Sequence, residues 1–170
     1  MNFKDHIRVI MDYPQPGIRF KDITTLLSNG PVYKEAIDSI AELVAGKQID
    51  VICGPEARGF VVGAPLSYKL GIGFVPIRKS GKLPYESIEA SYDLEYGKDK
   101  LAIHADAIKP GQKVLIADDL LATGGTISTC VDLVRKLGGE VVGTAFLIEL
   151  SYLSGREKLQ EIDVASLITY

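Results

Sequence analysis

The stretch VLIADDLLATGGT, Val114 to Thr126, joins an apolar run to two adjacent carboxylates and then to a segment rich in glycine and threonine. Residues 114–117 predict a strand that is buried on both faces, with Asp118 and Asp119 following at its carboxyl end. The spacing of the next apolar residues predicts a helix over 127–137. The connection between strand and helix is therefore expected to present backbone N–H groups at a helix N-terminus, where an anion is stabilised.

The residues of this connection suit a phosphate. Two glycines let the backbone come close to a ligand, and two threonines add hydroxyl donors. A Walker A loop is excluded, because the Gly-Lys pairs of the chain are followed by Gln, Leu and Asp. A dinucleotide-binding loop is excluded as well, because no G-x-G-x-x-G sequence occurs. The predicted phosphate cradle consists of Ala122, Thr123, Gly124, Gly125 and Thr126.

Two carboxylates beside a phosphate cradle indicate what else the ligand carries. Asp118 and Asp119 would repel a phosphate, whereas they would attract a sugar diol or a magnesium ion that bridges sugar and phosphates. Ribose 5-phosphate offers a phosphate at one end and a diol at the other. The alternative interpretation is that the two aspartates only cap the following helix, since Asp is a favourable N-cap residue.

The other apolar runs place this unit in an α/β fold. They lack polar alternation and are separated in part by helical segments, which predicts a mostly parallel central sheet flanked by helices. Ligands bind at the carboxyl ends of the strands in such sheets. The predicted strands are 49–53, 74–77, 114–117 and 141–148, and the predicted helices are 32–45, 59–70 and 127–137.

Two segments depart from the strand–helix alternation. The apolar spacing of residues 3–11 predicts a helix that ends before 13–17, where two prolines and a glycine prevent its continuation. Residues 80–107 contain two alternating segments around 97–100, which predicts an inserted β-hairpin or mobile flap. A long excursion in a compact domain is more often functional than accidental.

Length and composition limit the class of protein. The 170 residues, 46% apolar and 24% charged, predict a single domain over 1–170. A net charge of -3 gives no general attraction to nucleic acid or to an acidic membrane. No apolar run approaches the roughly 20 residues of a membrane span, and charges interrupt the first apolar runs, unlike a signal peptide. The apolar settings of Cys53 and Cys130 predict buried free thiols and a cytoplasmic location.

The stretch 114–126 resembles the phosphoribosyl-pyrophosphate signature of the type I phosphoribosyltransferases, and most closely that of the adenine-specific members. Four further segments agree with that family in the same order, so the resemblance covers essentially the whole chain. It implies the type I phosphoribosyltransferase fold, with an inserted β-hairpin flap at roughly 80–107 and a short N-terminal hood. The segments are YPQPGIRFKDIT (13–24), GPEARGFVVGAPLS (54–67), IRKSGKLP (77–84) with ASYDLEYG (90–97), and GREKL (155–159).

The resemblance also implies an activity. The expected reaction is displacement at the anomeric carbon of 5-phosphoribosyl 1-pyrophosphate, with adenine replacing pyrophosphate to give AMP in purine salvage. The family further implies Mg²⁺ held mainly by substrate oxygens, and a homodimer, with neither nucleic acid nor membrane as a partner. One departure is Glu56, at a position where many relatives are expected to carry aspartate.

Particular residues acquire roles from this resemblance. Glu95 on the flap is the expected acid–base group, meeting the purine near N7, and Tyr96 belongs to the same flap. Asp118 and Asp119 are expected to hold the ribose diol. The residues expected to contact adenine, chiefly through backbone groups with an aromatic ring against the base, are Arg19, Phe20 and Lys21. The cationic candidates for pyrophosphate are Arg58, Arg78, Lys79 and Lys82.

Plainer roles and other activities remain alternatives. Arg58 could be a surface arginine, residues 78–82 a solvated charge run, Phe20 a core residue and Glu95 a solvent-facing strand residue. The chain could also act on hypoxanthine–guanine, xanthine or orotate, although the LLATGGT and F-x-D-I-T elements argue against this. A regulator that senses the sugar pyrophosphate would be expected to carry a DNA-binding extension or a basic face, and the sequence provides neither.

Overall fold

The structure is a computed structural model that describes residues 1–94 and 97–170. The predicted flap residues Glu95 and Tyr96 lie outside the described residues. Within the described ranges, no helix combines the length and the apolar character that a membrane crossing requires.

The N-terminal residues form a small antiparallel hairpin. Strand β1 (Arg8–Met11) pairs with β2 (Arg19–Asp22), and this hairpin is the hood expected from the sequence. The prediction of a helix over 3–11 is wrong, because only a short 3₁₀ turn precedes β1. Pairing across the hairpin overrides the helical spacing: the backbone of β1 bonds to β2, and Arg8 Nε donates to Asp22 Oδ2 at 2.9 Å.

A seven-stranded sheet forms the centre of the described part of the molecule. Its spatial order is β5-β6-β4-β3-β7-β8-β9, in which the five strands from β4 to β9 along this order are parallel and the β5–β6 hairpin is antiparallel. The predicted, mostly parallel sheet is therefore confirmed, and β9 is an additional strand that the sequence did not indicate. The strands are β3 (Val51–Pro55), β4 (Gly73–Lys79), β5 (Ser87–Leu94), β6 (Gly97–His104), β7 (Lys113–Leu121), β8 (Glu140–Glu149) and β9 (Val164–Thr169).

Helices cover both faces of this sheet, as predicted. The alternation along β7 sends Leu115 and Ala117 to one core, with helices α2 and α3, and Val114 and Ile116 to the other, with α4. The α-helices are α1 (Thr24–Leu27), α2 (Gly30–Leu43), α3 (Phe60–Leu70) and α4 (Gly125–Lys136), and the 3₁₀ turns are Phe3–His6, Ser151–Leu153 and Gly155–Leu159.

Strand β7 is longer than predicted. It contains Asp118 and Asp119, so the expectation that both acids follow the strand is wrong. The reason is that β8 continues alongside and supplies backbone partners as far as the pair Leu121↔Glu149. The parallel pairing with β3 stops earlier, at Cys53↔Ile116. The two aspartates therefore lie in the part of β7 that extends beyond its pairing with β3. This part is still at the carboxyl edge of the sheet.

The flap is an antiparallel hairpin attached to an edge of the parallel strands. Strands β5 and β6 pair from Ser87↔His104 to Leu94↔Gly97, and β6 joins β4. Residues 97–100, expected around the turn, belong to β6, so the prediction of the turn position is wrong. The strand pairing decides the register, because it continues through the glycine and charged residues that suggested a turn.

Candidate active site

The predicted phosphate cradle and both acids line one cavity. This cavity has a volume of about 210 Å³ and is lined by Arg58 and by every residue from Asp118 to Ile127. Gly124 adopts a left-handed conformation with φ of 87° at the N-cap of α4, which ordinary side chains rarely adopt. Helix α4 begins at Gly125, two residues before the predicted start. The arrangement directs the N-terminus of a twelve-residue helix toward the cavity, which favours an anion.

The cradle keeps its backbone donors available. Among the described residues, the N–H groups of Ala122, Thr123 and Gly124 donate no backbone hydrogen bond. Buried or half-buried N–H groups need partners, so a ligand oxygen or water must supply them. Convergent N–H groups next to a helix N-terminus form the donor set that binds a phosphate.

The two carboxylates differ in their surroundings. Asp118 is 8% exposed and Asp119 is 5% exposed, and the Asp119 N–H donates to Asp118 Oδ1 at 2.8 Å. Burial, followed by the negative charge of Asp119, raises the pKa of Asp118 well above its ordinary value. Asp119 has a cationic partner, since its Oδ2 lies 3.0 Å from Arg58 Nε. The site therefore combines a carboxyl that favours its protonated form with an ion-paired carboxylate.

Arg58 contacts both the acidic pair and the hood. Besides its pair with Asp119, its guanidinium carbon lies 5.7 Å from the centroid of the Phe20 ring. The side chain is about half exposed. Arg58 is therefore not a free surface arginine, because it has one partner in the acidic pair and another in the hood.

A second cavity lies under the hood. It has a volume of about 630 Å³, and all three residues predicted to contact adenine line it. Leu120 lines both this cavity and the phosphate cavity, so the two spaces adjoin at that side chain. Phe20 is half-buried and meets Tyr13 edge to face, with ring centroids 5.2 Å apart. The lining residues are Gly17, Ile18, Arg19, Phe20, Lys21, Leu120, Leu150, Tyr152, Leu153 and Tyr170.

The remaining cationic candidates are organised by Glu56. Its Oε1 lies 3.3 Å from Arg78 Nε and accepts from the Lys79 N–H at 2.8 Å, while its Oε2 lies 2.9 Å from Lys82 Nζ. Burial opposes ionisation of Glu56, but the Lys82, Lys79 and Arg78 contacts outweigh it and lower its pKa. Lys79 Nζ additionally approaches Asp99 Oδ2 at 3.7 Å. The patch is a fixed cluster around one carboxylate and not a loose charge run.

Comparison with known proteins decides the family. The phosphoribosyl transferase domain model matches residues 22–167. An adenine phosphoribosyltransferase of Brevibacillus brevis is 72% identical over 170 residues, covering 100% of both chains. The chain belongs to the adenine phosphoribosyltransferase family. The resemblance inferred from the sequence motifs is thereby confirmed.

Solved structures of this family share the fold. Adenine phosphoribosyltransferase from Thermoanaerobacter pseudethanolicus superimposes with a TM-score of 0.96 at 52% identity, covering 99% of this chain and 98% of that one. The Saccharomyces cerevisiae enzyme, complexed with an imino-altritol bisphosphate and adenine, gives a TM-score of 0.90 at 37% identity, covering 96% and 95%. The expected type I phosphoribosyltransferase fold is confirmed.

A metal ion would find few protein ligands in this site. Among the described residues, no group of three or more His, Cys, Asp or Glu side chains could hold one. Asp118 and Asp119 are the acids of the cavity, and Asp119 is paired with Arg58. This donor set fits a Mg²⁺ ion that is held mainly by substrate oxygens and water, with at most a carboxylate from the protein.

Several site residues of this adenine phosphoribosyltransferase family member were not found from the sequence. Leu120, Leu150 and Tyr170 line the cavity under the hood, and Glu56 organises the cationic patch. Glu56 stood out only as a departure from the family pattern. The apolar residues carry no local signal, because nothing in their neighbourhoods distinguishes a cavity wall from ordinary core.

Proposed function

We propose that this protein transfers the phosphoribosyl group of 5-phosphoribosyl 1-pyrophosphate to N9 of adenine, giving AMP and pyrophosphate in purine salvage. The observation that carries the proposal is the pair of adjoining cavities. One combines a phosphate cradle with two acids, the other lies under the hood, and Leu120 lines both. A sugar phosphate in the first would direct its anomeric carbon toward a base in the second.

The sugar end of the substrate would occupy the 210 Å³ cavity. The 5′-phosphate would accept from the N–H groups and threonine hydroxyls of residues 122–126, and the ribose diol would meet Asp118 and Asp119. Because burial raises the pKa of Asp118, that carboxyl can donate a hydrogen bond, whereas the oxygens of Asp119 can accept one. The contact between Arg58 and Asp119 balances the buried charge before the sugar arrives.

The pyrophosphate would be bound by Arg58, Arg78, Lys79 and Lys82. Support comes from Glu56, which holds Arg78 and Lys82 in one cluster before any ligand binds. Pre-positioned cations stabilise the charge that develops on a leaving group without having to rearrange during the reaction. Flexible side chains would lose conformational entropy when they bind the pyrophosphate, which would offset part of this stabilisation.

Adenine would lie under the hood against Phe20, with backbone groups of Arg19 and Lys21 at its edge. A backbone carbonyl can accept a hydrogen bond from the exocyclic amine of adenine. Guanine presents a carbonyl at that position. Two carbonyl oxygens facing each other cannot form a hydrogen bond, so guanine would be rejected. The edge-to-face contact with Tyr13 fixes the orientation of the Phe20 ring.

The displacement passes through a transition state with oxocarbenium character, which water would capture in an open site. The flap hairpin is attached beside β4, whose end carries Arg78 and Lys79, so its closure would cover the pyrophosphate end. Glu95 would approach N7 of the base on closure. A desolvated carboxyl has a raised pKa and can share a proton with the purine while N9 attacks.

Magnesium would accompany the sugar pyrophosphate. Its phosphate oxygens and water would supply most ligands, with Asp118 or Asp119 as the available protein carboxylates. When bound, the ion neutralises negative charge on the leaving group. The protein residues themselves bind, orient and shield the substrates.

The assembly and the location are inferred from the family and from the two cysteines. We infer a homodimer from the family resemblance, and sedimentation velocity tests it, with a monomer overturning the inference. We infer a cytoplasmic location because both cysteines are buried free thiols. Burial raises the pKa of Cys53 to about 12, so its thiolate is scarce and the thiol is unreactive.

A base panel tests the activity. The purified protein is mixed with Mg²⁺, the sugar pyrophosphate and one of adenine, hypoxanthine, guanine, xanthine or orotate, and pyrophosphate release is measured. Release with adenine at the highest kcat/KM supports the proposal. Preference for another base assigns a different phosphoribosyltransferase activity, and binding of the sugar pyrophosphate without turnover of any base favours a sensor.

A further inference from the structure

An ion pair between a buried carboxylate and a half-exposed arginine lies at the end of β8, outside the two cavities. Glu149 is 4% exposed and receives Arg156 in a bidentate contact, with Nε to Oε1 at 2.6 Å and Nη2 to Oε2 at 2.8 Å. Ser166 Oγ donates to the same Oε2 at 2.6 Å. Planar two-point contacts of this kind fix geometry better than a single ammonium contact can.

This pair fixes the segment that packs on the phosphate cradle. Gly155 directly precedes Arg156, and a Cβ atom on Gly155 would lie 2.5 Å from the Ala122 carbonyl oxygen. A Cβ atom on Gly124 would lie 2.7 Å from the Gly155 carbonyl oxygen. The two backbones therefore touch at two points, with no side chain between them.

The same segment is also joined to the start of the cradle. The Leu150 N–H donates to the Leu121 carbonyl at 2.9 Å. One end of the segment 149–156 is therefore bonded to the residue before the cradle, and the other end packs on Ala122 and Gly124. The cradle itself lacks backbone hydrogen bonds from its first three N–H groups within the described residues, so its shape depends on this external support.

We propose that Glu149 and Arg156 are a positioning pair for the sugar-phosphate cradle, acting through the backbone of Gly155. The proposal rests on the proposed function, because it takes the phosphate of the sugar pyrophosphate as the ligand of residues 122–126. The Arg156 contact lowers the pKa of Glu149 against the opposing effect of burial, so the pair is ionised at neutral pH. Loss of the bidentate contact frees the segment and displaces the cradle from its donors.

The test compares Arg156→Met, Arg156→Lys and Glu149→Gln with the parent protein. Arg156→Met is expected to raise the KM and the Kd for 5-phosphoribosyl 1-pyrophosphate by about ten- to a hundredfold, because small misplacements of binding groups have effects of this size. The freed segment also supplies Leu150, Tyr152 and Leu153 to the cavity under the hood. The KM for adenine is therefore expected to rise as well, but by at least about threefold less than the KM for the sugar pyrophosphate, because hood residues 19–21 are untouched. Arg156→Lys should recover part of the loss, because lysine restores charge without the planar fork.

A control is the ion pair between Lys47 Nζ and Asp163 Oδ2, which are 2.5 Å apart and line neither cavity. Lys47→Met removes an ion pair of similar length and should leave both KM values unchanged. Unfolding in urea is measured for every variant. Kinetics are then compared without urea, under conditions in which each variant is folded. If Arg156→Met does not fold, Glu149→Gln, which preserves shape and removes the charge, provides the comparison.

The outcomes separate this proposal from the function itself. Absence of turnover with every base by the parent protein would overturn the proposed function, while calorimetric binding of the sugar pyrophosphate would still measure positioning. Parent-like binding of the sugar pyrophosphate by folded Arg156→Met or Glu149→Gln overturns the positioning pair. An equal rise in both KM values also overturns it, because that result indicates general loosening of the fold.

Discussion

Two adjacent, nearly buried carboxylates are costly in any protein. The Asp119 N–H donates a hydrogen bond to Asp118, and within residues 1–94 and 97–170 the guanidinium of Arg58 is the cation paired with these acids. Burial of charge without full compensation lowers stability, and residues that do so are typically retained for function. This unfavourable free energy raises the pKa of Asp118, because protonation removes one of the two buried charges.

Asp118→Asn should therefore stabilise the free protein at high pH. Burial and the Asp119 charge raise the folded pKa of Asp118 above its unfolded value, so this carboxyl lowers the free energy of unfolding as pH rises between those two values. Asparagine stays neutral, and the gain is about 1.4 kcal/mol for each unit by which folding raises the pKa. Urea unfolding near pH 4 and at pH 8 measures it, with the gain expected at pH 8.

Asp132→Asn is the control for this experiment, because Asp132 is an exposed carboxyl on α4. It should have little effect on unfolding at either pH. The same Asp118→Asn variant, like Asp119→Asn, should bind the sugar pyrophosphate more weakly. Unchanged affinity in both variants would remove the acids from the ribose site, and unchanged stability of Asp118→Asn at pH 8 would contradict the raised pKa.

Glu95→Ala should lower kcat by about 10²–10⁴, the usual range for a group that transfers or shares a proton. Glu95→Gln should behave similarly, because it keeps the size of the side chain and loses the acid. Asp93→Ala is the matched control, as Asp93 is an exposed carboxylate on β5 of the same hairpin. Steady-state kinetics decide the matter: near-normal turnover of Glu95→Ala would take Glu95 out of the mechanism.

At the scale of elements, the apolar runs of the central sheet predicted secondary structure correctly, whereas short or mixed segments did not. The run 114–117 predicted β7 correctly in kind, but the strand continues through both aspartates because β8 lies alongside. Residues 3–11 carry a helical spacing, yet 3–6 form a 3₁₀ turn and 8–11 pair with β2 of the hood. Strand β9 was missed because its apolar residues form a short run that Ser166 interrupts.

Gly155→Ala tests the close packing between the cradle and the Gly155–Leu159 turn. The new Cβ atom would lie 2.5 Å from the Ala122 carbonyl oxygen, which is backbone and cannot move aside cheaply. We expect the free energy of unfolding to fall by about 1–3 kcal/mol, as for other overpacked sites. Urea denaturation measures this loss.

Gly73→Ala is the matched control, since its Cβ atom would lie 3.6 Å from Val51 Cγ2, an ordinary contact. Its unfolding should differ from that of the parent protein by well under the loss seen at Gly155. If Gly155→Ala were as stable as Gly73→Ala, the two backbones would have room between them, and the packing argument for the cradle would fail.

At the scale of the whole molecule, the site is an assembly of segments that are far apart in sequence. The motifs identified the cradle, the two acids and the three hood residues, and the structure brings these together through the shared wall at Leu120. The contacts that these groups make could not be predicted from the local sequence. Arg58 meets Asp119 across 61 positions of chain, and Glu56 meets Lys82 across 26, so only tertiary folding reveals either contact.

Closure of the flap over both cavities is the last expected outcome, measured by hydrogen exchange with mass spectrometry. Amides in 80–94 and 97–107 should exchange at least about tenfold more slowly with AMP and pyrophosphate bound together than in the free protein, which corresponds to about 1.4 kcal/mol of added protection. Either product alone should protect less, because the hairpin closes over a site that both halves fill. Helix α2, on the far face of the sheet, provides the internal reference and should not change. Equal exchange of the flap in the free and doubly bound protein would mean that something other than this hairpin keeps water from the reacting carbon.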